Sequence, residues 1–169
     1  MRIRRLVPDN AAAYRELRLR ALAEHPEAFT SSHDEEGRKP VAAMAARLEP
    51  DGNEAVYGAY AGDALVALAG LALETRRKNR HKATVFGMYV APEHGGRGVG
   101  RALLAHVIGE ARLHSGLLQL VLTVTDGNAA ATALYERAGF RSFGIEPQAI
   151  CVDGSYHGKN HMILFLAQP

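Results

Sequence analysis

The chain has 169 residues, 47% of them hydrophobic, with Lys+Arg 20 against Asp+Glu 18 and a formal net charge of +2. That length supports one domain (residues 1–169) with a buried core, and the charge is too balanced for an electrostatic nucleic-acid binder. A lone Cys151 excludes an internal disulfide, the opening MRIRRLVPDN lacks a signal-peptide run, and no apolar stretch reaches membrane-spanning length, so a soluble, cytoplasmic protein is expected.

Residues 2–7 (RIRRLV) suit a short strand, closed by Pro8-Asp9-Asn10, with Asn10 as cap of a helix over 11–24. The polar segment EHPEAFTSSHDEEGRKP holds Pro26 and Pro40 and reads as loop; residues 41–48 (VAAMAARL) suit a short helix. In AVYGAYAGDALVALAGLAL, Gly62-Asp63 divides two apolar runs, the pattern of a β-hairpin. The basic run TRRKNRHK (75–82) reads as a solvated tip between strands. Residues 83–90 (ATVFGMYV) form the next strand, 98–114 a helix, and 117–124 (LLQLVLTV) a strand apolar enough for burial on both faces. Within that helix Val99, Leu103, Val107 and Ala111 make one row beside Leu104 and Ile108. After TDGN, Asn128 suits the cap of a helix that stops before Gly139. Two strands, 148–153 and 160–166, close the chain around the turn-rich DGSYHGKN, with Cys151 as a packed strand residue and His157 and His161 at the surface. The order β-α-α-β-β-β-α-β-α-β-β is mixed α/β (α+β). The strands 83–90 and 117–124 are parallel neighbours through the helix between them.

The densest punctuation is VAPEHGGRGVGRALL, with Gly95, Gly96, Gly98 and Gly100 between a strand and a helix. A tight turn needs one or two glycines, and each extra one adds conformational entropy lost on folding. Four make sense together if backbone N–H groups converge on an anion at the helix N-terminus. A dinucleotide fingerprint started at Gly96 would need glycine where Arg101 stands. A Walker loop from Gly95 to Gly100 meets Arg101-Ala102 in place of Lys and Ser/Thr, which argues against nucleotide-dependent phosphotransfer. The acetyl-CoA loop R/Q-x-x-G-x-G/A is matched in its second half by Gly98 and Gly100.

Here the chain resembles the GNAT superfamily, the Gcn5-related N-acetyltransferases. MYVAPEHGGRGVGRALLAHVI is similar to that family's strand-loop-helix, and NAAATALYERAGF, about thirty residues on, to its N-x-x-A-x-x-L-Y-x-x-x-G-F segment. VDGSYHGKNHMILFL and LRLRALAEHPEAF resemble its closing strands and first helix. The departure is Gly95, where the family usually has Arg or Gln; Arg97 or Arg101 could supply the positive charge instead.

The resemblance implies the acyl-CoA acyltransferase fold: a mixed sheet of six to seven strands, splayed parallel central strands and about four helices. It implies acetyl-CoA as donor, no metal, and transfer to a primary amine of a small molecule or peptide by direct attack in a ternary complex. Homodimers are common in the family. Backbone groups of Met88 and Val90 would hold the pantetheine arm, and amides of Gly96, Arg97, Gly98, Val99, Gly100 and Arg101 the pyrophosphate. Asn128 would bind the arm and Tyr135 would protonate the leaving thiolate. Alone, Tyr135 reads as a core aromatic on the face of Ala131, Leu134 and Ala138. The strand 83–90 has no carboxylate to act as base; Glu74, His81 and the cluster Asp34, Glu35, Glu36 are the candidates, with a water chain as alternative. A non-catalytic acyl-CoA sensor on the same fold is the competing function.

Overall fold

The computed structural model describes residues 1–166; residues 167–169 of the expected domain lie outside that range. Seven strands form one mixed sheet in the order β1-β2-β3-β4-β5-β7-β6. They are β1 (Arg2–Arg5), β2 (Glu54–Ala61), β3 (Ala64–Leu73), β4 (Lys82–Val90), β5 (Gln119–Thr125), β6 (Arg141–Val152) and β7 (Ser155–Phe165). The α-helices are α1 (Ala11–Glu24), α2 (His33–Gly37), α3 (Val41–Arg47), α4 (Val99–Arg112) and α5 (Ala129–Arg137).

Strand alternation sorts the apolar residues onto two faces of the sheet. On one, Leu120 and Leu122 of β5 and Met162 of β7 pack with Leu103, Leu104 and Val107 of α4. On the other, Leu68 and Tyr89 pack with Tyr14 and Leu17 of α1 and Met44 of α3. The predicted α4 stripe is buried at all six positions.

Every strand pair is antiparallel except β4 and β5. These two run parallel, as expected, but pair only at Lys82↔Gln119, Ala83↔Leu120 and Thr84↔Val121. Beyond Thr84 they part. On the other side of β4, Gly70 opposes Phe86 and Leu68 opposes Tyr89, so β4 carries one extra residue. Gly87 takes the bulge at φ +62°, a conformation that side chains rarely adopt.

Several local expectations need correction. Asn10 occupies the N-cap position of α1 without capping it; its Oδ1 accepts from the Val7 N–H (3.1 Å), inside a 3-10 turn over Pro8–Asn10. The predicted loop before Pro40 contains α2, opened by a Ser32/Glu35 capping box. Strand β5 is sealed on one face only, since Thr123 is exposed. The closing strands are longer than predicted. Asp153-Gly154, both with positive φ, make the whole turn, and the rest of DGSYHGKN lies in β7. Cys151 is exposed rather than packed.

Close packing of β3 on β4 generates a test. A Cβ at Gly70 would clash with the Phe86 ring, 2.5 Å from Cε1 and Cε2 and closer still to Cζ. Gly70→Ala is expected to destabilise the fold by about 1–3 kcal/mol, and adding Phe86→Leu should restore much of it, read by chemical denaturation.

Candidate active site

The glycine loop leads into α4 through two left-handed residues, Gly96 (φ +70°) and Gly98 (φ +76°). Gly98 is the N-cap and has no side chain to offer, so the helix start is left uncapped. Gly95 N–H donates to Pro92 O (3.0 Å), and the first helical bond runs from Ala102 N–H to Gly98 O (3.0 Å). Among the described residues, the six N–H groups between, from Gly96 to Arg101, have no protein acceptor. These are the six amides singled out from the sequence. A run of unpaired donors at a helix N-terminus is a cradle for an anion such as a diphosphate. Arg97, Arg101, Arg112 and Arg137 line the surrounding cleft, and no carboxylate does. The entry to the loop is braced from α1, where Arg20 Nη1 and Nη2 hold Glu93 (2.7 and 2.8 Å).

A second cavity, of about 660 Å³, lies where β4 and β5 part. It is lined by Phe86, Gly87 and Met88 of β4 and by Val121 to Thr125 of β5. Val90 faces the loop cleft, Met88 the gap, and Asn128 and Ala131 line both. Asn128 Oδ1 accepts from Ala131 N–H (3.1 Å), the predicted cap, which leaves its Nδ2 as a free donor. Tyr135, seven residues on, lines the gap with its ring buried edge-on to Phe140 (5.9 Å between centroids). Burial pushes its phenol up to about 12, so it remains protonated at neutral pH.

A match to the family model described as acetyltransferase (GNAT) family spans residues 8–140. The chain belongs to that family. A GNAT acetyltransferase from Streptococcus pneumoniae shares the fold, with TM-score 0.89 at 21% identity over 98% of this chain and 99% of the other. The structure of YncA, a putative acetyltransferase from Salmonella typhimurium, with its cofactor acetyl-CoA, has TM-score 0.81 at 26% identity, over 100% and 95% of the two chains. Among curated relatives, a mycothiol acetyltransferase of Salinispora arenicola is 33% identical over 131 residues, 76% of this chain and 40% of its own length. The [ribosomal protein bS18]-alanine N-acetyltransferase of Escherichia coli is 48% identical over 59 residues, 35% of this chain and 39% of its own length. These matches thus span only about two-fifths of the curated relatives.

The gap also gathers residues that the sequence reading left out of the site, among them His161, expected at the surface together with His157. His161 of β7 lines the gap, and its Nε2 meets Glu146 Oε2 of β6 at 2.9 Å. Arg18 of α1 and the Arg47–Glu54 ion pair (2.7 Å) line it too. Arg18 is 8% exposed, its guanidinium 4.8 Å over the Phe29 ring, and its Nε and Nη1 are buried without a partner. Desolvation lowers its pKa, and leaving such donors unpaired costs about 1–3 kcal/mol each. The side chain that could have flagged it was legible: Arg18 stands between Tyr14 and Leu22 at helical spacing, on the buried side of α1.

The predicted base candidates stand elsewhere. Glu74 and His81 flank the tip where β4 and β5 are still paired, Glu35 closes the α2 capping box, and Glu36 is buried under Lys39. None of them, nor Asp34, lines the gap. Among the described residues no group of three or more His, Cys, Asp or Glu side chains could hold a metal ion, and no helix is long and apolar enough to cross a membrane. For the cradle, Gly98→Asp adds bulk at positive φ and a carboxylate against the amides; acetyl-CoA affinity measured by calorimetry is expected to fall at least about tenfold, or about 1.4 kcal/mol.

Proposed function

We propose that residues 1–169 form one catalytic domain, an acetyl-CoA-dependent N-acetyltransferase that acts on the primary amine of a small molecule or peptide. The observation that carries this reading is that the two cavities adjoin, sharing Asn128 and Ala131, with six unpaired amides in one and Tyr135 in the other. The loop amides and the arginines of the cleft suit the diphosphate. Asn128 Nδ2 and the backbone of Met88 and Val90, on the β4 edge that β5 leaves unpaired, suit an amide-bearing arm. Bound acetyl-CoA would supply an activated thioester.

The protein's own groups cover the remaining needs. An amine must lose a proton before it attacks, and His161 is the base we assign. With Nε2–H donated to Glu146, Nδ1 carries the free lone pair. As the N–C bond formed and the C–S bond broke, Tyr135 would give its phenolic proton to the departing sulfur, and the second proton shed by the acylated nitrogen would replace it by way of solvent. A backbone N–H of the β4 bulge suits the developing oxyanion. This is direct transfer in a ternary complex and needs no protein nucleophile; exposed Cys151 does not line the gap. Nothing in the comparisons favours a non-catalytic sensor. A location in the cytoplasm is our inference from the single cysteine and the CoA donor.

Tyr135→Phe is expected to lower kcat about 10²-fold or more with acetyl-CoA affinity unchanged; equal turnover on an accepted amine would remove Tyr135 from the mechanism. Because its phenol is held near 12, no loss of rate from its ionisation is expected between about pH 6 and about pH 10. His161→Gln should lower kcat at neutral pH by about 10²-fold, and Glu146→Gln by less. Both deficits should shrink as pH rises and the free amine becomes abundant without a base, a trend that steady-state rates across pH will read.

A further inference from the structure

The gap contains a cation with nothing to bind. Arg18 reaches it from α1, on the face opposite the α4 core, and is buried to 8% exposure. Its Nε and Nη1 have no acceptor. The carboxylate that acts on it electrostatically, Glu36, does not hydrogen-bond it: Glu36 Oε1 takes Lys39 Nζ at 2.6 Å, and Oε2 is itself unpartnered. The other acidic group near this wall, Glu54, is held by Arg47 Nε at 2.7 Å. The Phe29 ring accounts for one face of the guanidinium and for none of its N–H groups.

The direction of the cation is informative. A Cβ on Gly87 would lie 3.7 Å from Arg18 Nη1, so the guanidinium edge abuts the bulge of β4 in the middle of the strand gap.

From this geometry we infer that the acceptor is a small amine that also carries a carboxylate, an amino acid in the broad sense, held at Arg18. The inference deepens the acetyltransferase reading and rests on it. A carboxylate against the Nη edge would accept two parallel N–H bonds, the pairing the planar guanidinium fork favours. The carboxylate would replace missing acceptors around a desolvated cation, and the amine on the same small molecule would then lie in the gap beside the β4 bulge. Discrimination follows from the same burial. A carboxamide offers one acceptor oxygen, no charge, and an NH2 that meets the guanidinium donor to donor, and sites built for a matched polar group reject such analogues strongly.

The test uses matched pairs, the common L-amino acids and their carboxamides, with acetyl-CoA as donor and release of the free CoA thiol as readout. The carboxamide has the less basic amine, the readier nucleophile at neutral pH, so a preference for the acid does not arise from amine reactivity. The wild-type chain is expected to turn over at least one free acid with kcat/KM about 10²-fold or more above its carboxamide. Arg18→Gln should erase most of that ratio by raising KM for the acid, and Arg18→Lys should retain part of it. Thermal melting and acetyl-CoA affinity accompany each variant. Equal rates for acid and amide overturn the inference, as does an Arg18→Gln loss shared equally by both, which marks a structural role. Turnover of neither series by a chain that binds acetyl-CoA overturns it as well while leaving the donor site standing. Failure to bind acetyl-CoA at all overturns the acetyltransferase reading beneath it. Should Arg18→Gln not fold, the wild-type ratio and Arg18→Lys decide.

Discussion

Parallel strands β4 and β5 share three residue pairs and then diverge, and the site depends on that divergence. A sheet normally consumes the hydrogen-bonding edge of each interior strand. Here β3 and β7 hold the outer edges of the two strands along most of their length, so the sheet persists while its middle opens. The inner edge of β4 is left unpaired beyond Thr84, with the Gly87 bulge in its centre. An opening of this kind needs support from both sides, and the two apolar cores, one under α4 and one under α1 and α3, supply it.

The opening divides labour between the faces. The α4 side carries unpaired amides and four arginines with no acid among them, an environment for phosphate. The α1 side carries single, fixed polar groups: Arg18, the Arg47–Glu54 pair and the His161–Glu146 pair. The first surface suits a large, invariant, highly charged ligand. The second suits something small that must be oriented. Asn128 and Ala131 touch both, at the start of α5.

What the sequence revealed follows from how local each feature is. The glycine loop, the α4 stripe, the Asn128 cap and the position of Tyr135 relative to it all lie within one or two elements, and the parallel pairing of β4 and β5 follows from the helix between them. Strand β6 was mostly missed because it is an edge strand with eight consecutive exposed residues and both Gly144 and Pro147, so no alternation marks it. The Ser32/Glu35 box was available but overshadowed by flanking prolines. Arg18, Glu146 and His161 converge only through the strand order β4-β5-β7-β6 and the packing of α1, and no spacing along the chain encodes that meeting.

One small cluster has a wider consequence. Buried Lys159 of β7 donates to Glu27 O (2.8 Å) and to Thr125 Oγ1 (3.1 Å), and Thr125 donates to the same carbonyl (2.8 Å). The segment that delivers Phe29 is therefore moored to the sheet by a main-chain oxygen, which every amino acid possesses. Side chains along that segment can be exchanged without cutting the mooring, so descendants of this chain could acquire new tastes in acceptor while the grip on the donor passes down unaltered.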